Sequence, residues 1–348
     1  MTYFSWRWIF FVNVPLGAIS LLGIALFLVD VREKKKAVAI DYWGAVTLST
    51  AILGLLTLFL MAGRSFDWVS PQIIGLSIIT IAAGYAFYYV EKKAPEPILS
   101  LDFFGSRGFS TGNGSAFLAS FTIFALFAYS PLFIQGALGK TPLQMSVAML
   151  TMSLGWSIGA LVCGQMVNRF GQKPSTIFGS LCLVVGAGIM ITFSADTSLT
   201  VCSIVLGISG VGMGFVSMAT LLVVQDSLDV SDLGVATSSH QFARTLGGTI
   251  GVGIAGSFVT MTLSNVMQSL MTTDLKDLPP SLYIEIKQNV ENIFRPEIQA
   301  VLGAEVQQAM QEAVARAVLT VFWITFITSL LGLVVSILIP VRSAARAK

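Results

Sequence analysis

The chain has 348 residues, of which 55% are hydrophobic and only 11% charged, and its mean hydropathy is +0.81. This excludes a soluble domain, in which about a quarter of the residues are charged, so we predict an all-α polytopic membrane protein in a lipid bilayer. The formal net charge of +2 gives no sign of a nucleic-acid partner, and one histidine is too few for a His-rich metal site.

Nine apolar runs, each of about 19 to 27 residues, are long enough to cross roughly 30 Å of hydrocarbon as helices. They lie near residues 9–29, 43–62, 72–90, 112–135, 143–167, 176–194, 200–225, 238–264 and 317–340. All three cysteines fall inside these runs, so we interpret them as small packing residues and expect no disulfide.

The first run includes the segment Trp6-Arg-Trp-Ile-Phe-Phe-Val-Asn-Val-Pro-Leu-Gly17. It closely resembles the WRWIFxINxPxG signature that opens the sixth helix of 14-helix drug:proton antiporters in the major facilitator superfamily. The resemblance implies that the chain corresponds to such a transporter from its sixth helix to the C-terminus, without the first five helices. On physical grounds, Asn13 and Pro15 should loosen the first helical turns.

Two further runs and a linker follow the basic residues 32–36. They resemble the two extra central helices that separate 14-helix from 12-helix members of the family. Pro95 and Pro97 cannot continue a helix, so the linker is the best domain boundary. We predict three parts: 1–36 as the last helix of the N-terminal bundle, 37–110 as the two extra helices with their linker, and 111–348 as the C-terminal six-helix bundle.

The two helices after the linker carry candidate residues for a substrate cavity. These residues are Asn113, Phe117, Phe121, Phe124, Gln135, Met149, Met152 and Trp156. By resemblance to the family, the helices near 112, 143, 200 and 238 line a central cavity, and thioethers and flat rings suit a cavity that accepts many apolar shapes. We expect Phe121 and Trp156 to face this cavity together. The same side chains would serve equally well in helix packing or against lipid.

The short polar stretch at 164–175 predicts a tight cytoplasmic hairpin between two membrane helices. Gly171 can end one helix with a positive φ, and Pro174 can lie in the first turn of the next. The stretch resembles the GxxxDRxGRK loop of the family. It matches that loop at Gly164, Arg169, Gly171 and Lys173, and departs from it at Asn168 and Gln172.

Three GxxxG steps occur in the second half of the chain, at Gly155/Gly159, Gly210/Gly214 and Gly247/Gly251. Such steps remove side chains from one helix face, so that another backbone can approach closely. We expect them to serve a bundle that rocks against a partner, with static packing as an equal alternative.

The segment 234–251 resembles the start of the family's penultimate helix, at the cytoplasmic gate. His240 and Arg244 are four residues apart and therefore share a helix face. The preceding acidic residues could neutralise Arg244; they are Asp226, Asp229 and Asp232. In the family this helix start faces the basic loop of the first half, which implies that its partner is absent here.

Residues 265–316 are predicted to form a long outer loop. Apolar residues recur at roughly helical spacing between Ile298 and Val314, so we expect a helical cap on the outer surface.

The lysines and arginines of the loops predict the topology. One alternate set of connections holds twelve of them and the opposite set of short connections holds three, which places the C-terminus in the cytoplasm and the N-terminus outside the cell membrane.

Together with the resemblance, these features predict proton-coupled efflux of hydrophobic or cationic drugs, by alternating access of two bundles around a mid-membrane site. The proton gradient would supply the driving force, with no other cofactor. The acidic residues of the nine runs all lie at the ends of the runs; they are Asp30, Asp41, Glu91 and Asp196. Proton coupling needs a titratable group at membrane depth, so the coupling acid is expected in the five preceding helices.

Two alternatives remain open. The chain could be a truncated or split product without independent transport, which assembles with a separately encoded N-terminal half. A membrane-embedded enzyme would need clustered Asp, Glu, His or Cys near one interface. The sequence shows no such cluster, so we predict no catalytic residues and no bound metal.

Overall fold

The computed structural model describes residues 7–27, 41–62, 66–94, 101–273 and 304–341. They fall into two units, which divide between Ile40 and Asp41. Helices make up most of both units, and an isolated bridge between Ala62 and Phe66 is the one β feature of the described residues.

The first unit contains two helices, α1 (Trp8–Phe11) and α2 (Asn13–Phe27). The helix is interrupted at Val12, where Pro15 has no N–H to bond the carbonyl of Phe11. This break is the loosening predicted from Asn13 and Pro15. With 15 residues, α2 is shorter than the roughly 20 residues that cross a bilayer, so the described part of the first predicted span does not qualify by length.

The second unit contains eight helices that are long and apolar enough to cross a membrane. They are α3 (Tyr42–Met61), α4 (Pro71–Glu91), α5 (Arg107–Leu132), α6 (Pro142–Phe170), α7 (Gln172–Met190), α8 (Leu199–Gln225), α9 (Leu233–Thr273) and α10 (Ala304–Ile337). The prediction of an all-helical membrane protein is confirmed. The count of nine is not, because eight helices qualify among the described residues.

Side chains of the connecting turns cap several of these helices. Ser70 caps α4, which begins at Pro71, and its hydroxyl accepts from the backbone N–H of Ile73. Thr141 and Gln144 form a capping box at the start of α6. Since the first N–H groups of a helix have no partner within it, these side chains mark where the helices begin.

The hairpin between α6 and α7 has the predicted geometry. Gly171 has a φ of 91°, ends α6 and immediately precedes α7 at Gln172, with Pro174 in the first turn of α7. A residue with a Cβ would be strained in this left-handed conformation, which explains the glycine.

The glycine steps are buried within this chain. A Cβ at Gly159 of α6 would lie 2.5 Å from the Val211 carbonyl oxygen of α8, and a Cβ at Gly214 of α8 would lie 2.5 Å from the Ala160 nitrogen. On α9, a Cβ at Gly251 would lie 2.5 Å from the Phe121 carbonyl oxygen of α5. Static packing within the bundle, which was the equal alternative, accounts for all three steps.

The last helix begins earlier than its apolar run predicts, at Ala304 and not near 317. Met310 and Val314, expected in a separate surface cap, are buried in the same helix as Val318 and Val321. The apolar spacing in this stretch belongs to a helix that continues into the membrane span. The remainder of the predicted cap, at 298–303, lies outside the described residues.

The ends of the helices in the C-terminal bundle meet on one side. Arg107 Nε, at the start of α5, donates to the carbonyl oxygen of Leu338, just past the end of α10, at 3.0 Å. Gln172 Nε2, at the start of α7, donates to Asp226 Oδ2, just past α8, at 2.6 Å. These bonds place the start of α5 beside the end of α10, and the start of α7 beside the end of α8.

Helix α3 packs on α9. A Cβ at Gly253 would lie 2.6 Å from the Phe59 Cβ, and Ser257 Oγ donates to the Ala62 carbonyl oxygen at 2.8 Å. The two helices predicted as the central pair thus attach to the C-terminal bundle through α9.

Candidate functional site

Two residues predicted for the substrate cavity, Phe124 and Trp156, meet one that was predicted for the cytoplasmic gate, Arg244. The Phe124 ring of α5 lies edge-on to the Trp156 ring of α6, with centroids 6.1 Å apart and planes at 90°. The guanidinium carbon of Arg244, on α9, lies 5.5 Å from the Trp156 ring centroid. Trp156 is the central residue of the 29-residue α6, so this cluster lies near the middle of the membrane.

Close helix packing positions the Trp156 side chain. Because Gly214 has no Cβ, α8 approaches the backbone of α6 at Trp156 and Ala160. The Trp156 side chain packs beside the apolar core but stays half-exposed, and Phe124 is 38% exposed. The described residues therefore leave part of the cluster uncovered on one face of the bundle.

The structure does not bring Phe121 to Trp156. Phe121 is 6% exposed and packs against α9, where Gly247 and Gly251 allow the α5 backbone to come close. The expectation that Phe121 and Trp156 face a common cavity is therefore corrected, and Phe124 takes the place of Phe121. Phe117 lies on the same contact with α9 and is half-buried.

The remaining cavity candidates are spread through the bundle. Met149 and Met152 are buried in the apolar core, where packing accounts for both side chains. Asn113 is also buried; its Nδ2 donates to the Phe109 carbonyl oxygen at 3.0 Å, and its Oδ1 has no hydrogen-bond partner in the described part of the chain. Gln135 is exposed in the π-helical turn Phe133–Ala137. A role for these four residues in a cavity stays a prediction.

His240 is almost completely buried, at 3% exposure, and bonds to α8. Its Nε2 lies 2.9 Å from Thr220 Oγ1, and that hydroxyl donates to the Val216 carbonyl oxygen at 2.6 Å. Since the Thr220 proton is used in this way, His240 Nε2–H must be the donor to Thr220. The histidine therefore ties α9 to α8 behind the open face.

Arg244 does not pair with the acidic turn before α9. Its Nη1 lies 3.4 Å from Gln241 Oε1 and its Nε is buried without an acceptor among the described residues. Asp226 instead accepts from Gln172. The expectation that Asp226 neutralises Arg244 is wrong, because the Gln172 amide at the start of α7 binds that carboxylate.

The loop-motif residues lie at the α6–α7 hairpin, apart from the mid-membrane cluster in sequence and depth. Asn168 and Arg169 are exposed, and the Arg169 guanidinium lies 5.9 Å from the Phe170 ring. Gly164 has only the Met218 side chain within van der Waals distance of a Cβ, at 3.7 Å, and Lys173 is half-buried.

Sequence reasoning missed the burial of Glu91. This side chain is 4% exposed at the end of α4, and its carboxylate, like that of Asp41, points towards Gly44 of α3. A carboxylate at the end of an apolar run and next to two lysines is normally interpreted as solvated. The small residue Gly44 opposite it is the one available signal, since it leaves room for two carboxylates.

Among the described residues, no group of three or more His, Cys, Asp or Glu side chains could hold a metal ion. The site that the structure does define is a half-exposed aromatic surface with one arginine, at mid-membrane depth.

The fold and this site define a multi-pass membrane protein with a polar and aromatic face inside the bilayer. The chain belongs to the Major Facilitator Superfamily, whose family model matches residues 1–252.

Two curated relatives come from Bacillus subtilis (strain 168). Multidrug transporter protein MdtP is 32% identical over 275 residues, which cover 79% of this chain and 51% of that protein. Multidrug resistance protein 3 is 28% identical over 333 residues, which cover 95% of this chain and 64% of that protein. The chain thus spans about half to two thirds of the length of these relatives.

A solved structure also resembles the fold: a bacterial homologue of the human lysosomal transporter Spinster, in an inward-facing and occupied conformation. It has a TM-score of 0.48 and 14% identity and covers 84% of this chain and 67% of its own, too low a similarity to add to the family assignment.

Proposed function

We propose that the chain takes part in efflux of hydrophobic drugs and similar small molecules across the cell membrane. The observation that carries this proposal is the cluster of Phe124, Trp156 and Arg244, half-exposed at mid-membrane depth where α5, α6 and α9 meet. Transporters of this kind bind substrate near the bilayer midplane and alternate access to it. The multidrug names of the two Bacillus relatives support the same function.

The proton gradient is the proposed driving force. Coupling needs a titratable group at membrane depth. Among the carboxylates of the described spans, Glu91 is the one that is buried, and it lies at the end of α4. His240, which is also buried, is bonded to Thr220. The relatives are longer than the part that this chain spans. We therefore assign the coupling acid to the helices in that additional length.

The proposed topology places the connections on the side of Arg107 and Gln172 in the cytoplasm. The bonds from these residues to Leu338 and Asp226 support a common side for four helix ends. The excess of lysine and arginine in that set of connections supports the cytoplasm as the side.

The proposal is tested by a pair of tryptophan variants, with the chain co-expressed with the helices that a relative has beyond the matched length. Trp156→Ala should reduce efflux of a fluorescent hydrophobic dye from loaded cells at least tenfold. Trp323→Ala is the matched control, because Trp323 is 48% exposed on α10 and has no part in the cluster. Equal losses from both variants at equal protein levels would contradict a role for the cluster in binding.

A second candidate function is that of a partner without independent activity, favoured by the share of the relatives that the chain covers. In that case the chain expressed alone confers no drug resistance, and co-expression with a five-helix N-terminal half restores it. Growth on drug plates with and without that half measures this directly. Resistance from the chain alone would exclude the partner role.

A further inference from the structure

The cation of Arg244 lies deep in the membrane. Its guanidinium carbon is 5.5 Å from the ring centroid of Trp156, and Trp156 is at the centre of α6. Hydrocarbon offers no hydrogen-bond acceptor at this depth, so a cation there requires polar partners and in membrane proteins marks a functional site.

Within the described residues, protein groups satisfy this cation only in part. Guanidinium carries five N–H donors, and the acceptor they have is Gln241 Oε1, at the long distance of 3.4 Å. No carboxylate of the described segments forms an ion pair with Arg244, and Asp226 is engaged by Gln172. One face of the guanidinium lies over the Trp156 ring. At its edge, most of the N–H donors have no acceptor among the described residues.

The Trp156 ring beside this cation is paired with a second aromatic ring. Phe124 and Trp156 meet edge to face, and both are partly exposed. A ligand that fits both features is flat and apolar and carries negative charge at one edge. We propose that Arg244 makes the site select planar aromatic carboxylates and comparable organic anions over cations. This inference rests on the substrate-binding role proposed above and departs from the expectation of cationic drugs.

Recognition would use two contacts at once. A carboxylate can accept two parallel N–H bonds from a guanidinium, which is stronger and more directional than a bond to a neutral group. The aromatic body of the ligand would pack on Phe124 and Trp156. An ammonium group in the same place would meet the like charge of Arg244 in a medium that screens it poorly.

The experiment compares three ligands of one shape on the purified full chain in lipid nanodiscs. The ligands are 2-naphthoate, neutral 2-naphthamide and the cation 2-naphthylmethylammonium, in competition with tritiated 2-naphthoate in a scintillation proximity assay. We expect the carboxylate to bind at least tenfold more tightly than the amide and the ammonium to bind most weakly. This ranking in the unaltered chain needs no variant. An ammonium that binds as tightly as the carboxylate overturns the inference.

Variants then assign the preference to one side chain. Arg244→Gln should remove the difference between carboxylate and amide, with the amide affinity unchanged, and Arg244→Lys should restore part of it. Arg316→Gln is the matched control, because Arg316 is exposed on α10 and pairs there with Glu312. A carboxylate preference that persists in Arg244→Gln overturns the assignment to Arg244.

The outcomes separate this inference from the proposed function. Binding of amide and ammonium without a carboxylate preference leaves the drug site standing and rejects the anion preference. Carboxylate binding that depends on Arg244, in a chain whose complete form moves no drug, keeps the anion site and rejects efflux. Binding of none of the three ligands rejects the anion preference, and the dye-efflux comparison of Trp156→Ala with Trp323→Ala then decides the proposed function.

Discussion

The Arg244 guanidinium of α9 lies over the Trp156 indole of α6, and this contact holds a charge beside the middle of a membrane-spanning helix. Placing an arginine there costs about 2.5 to 3.5 kcal/mol on insertion scales. A cation–π contact returns about 0.5 to 2 kcal/mol. The aromatic ring therefore offsets only part of the cost, and the rest falls to polar partners at the N–H edge of the guanidinium.

We expect cysteine labelling to distinguish the open face from the core. In a background without Cys163, Cys182 and Cys202, Phe124→Cys and Trp156→Cys should react faster with a water-soluble thiol reagent than Phe121→Cys, because Phe121 is buried against α9. Reaction rates followed by mass spectrometry measure this difference. A transported drug should slow the first two reactions.

The control for the labelling is Val185→Cys, since Val185 is 50% exposed on α7, outside the cluster, where we place it against lipid. Rates at Phe124 and Trp156 no higher than at Val185 would show that lipid, and not water, covers the cluster.

Gly159→Ala should destabilise the bundle, because its methyl group would lie 2.5 Å from the Val211 carbonyl oxygen and force α6 away from α8. Overpacking of this kind typically costs about 1 to 3 kcal/mol. The measurement is the temperature at which detergent-solubilised protein loses its monodisperse peak in size-exclusion chromatography.

The matched control for that substitution is Gly84→Ala on α4, where a Cβ meets nothing within 4 Å. Gly84→Ala should leave the transition temperature unchanged or raise it, since alanine favours the helix by about 1 kcal/mol. Equal destabilisation by both substitutions would argue against the α6–α8 contact.

The buried bond between His240 and Thr220 should show up in a double-mutant cycle. Thr220→Val leaves the His240 Nε2–H in the core without its acceptor, at a cost of about 1 to 3 kcal/mol, whereas His240→Ala leaves the Thr220 hydroxyl still bonded to Val216. The double variant should lose less stability than the sum of the two, since no orphaned group remains. Strict additivity in the same thermal assay would mean that the bond does not form.

The proposed topology predicts the side of three reporter fusions. Fusions after residues 35 and 170 should report the cytoplasm, because the basic residues beside them stay inside, and one after residue 290 should report the outside. Paired alkaline phosphatase and green fluorescent protein reporters, active on opposite sides, provide the readout and its control. Residue 290 in the cytoplasm would refute the orientation.

Hydropathy predicted the spans of α5 to α8 within a few residues, because the bilayer sets the length of an apolar run. It failed for α9 and α10, which continue as helices to Thr273 and from Ala304, beyond the predicted spans. Outside the hydrocarbon a helix needs no continuous apolar run, so its end leaves little trace in hydropathy.

The sequence also predicted which helices meet at the site, but not which ring of the phenylalanine stripe is open. Phe121 and Phe124 are three residues apart and so differ by only about 60° around α5. Both residues meet α9, Phe121 at Gly251 and Phe124 at Gly248, but Phe121 is buried in that contact while Phe124 stays 38% exposed. The spacing of residues along one helix cannot predict which ring is buried, because burial depends on the contact between two helices.

Two contacts join α3 to α9: Ser257 donates to the Ala62 carbonyl oxygen, and Phe59 packs on Gly253. They couple α3, and through it α4, to the same helix that carries Arg244. If one bundle rotates against another during transport, α3 and α4 move together with the C-terminal bundle. They do not form a hinge between the two halves.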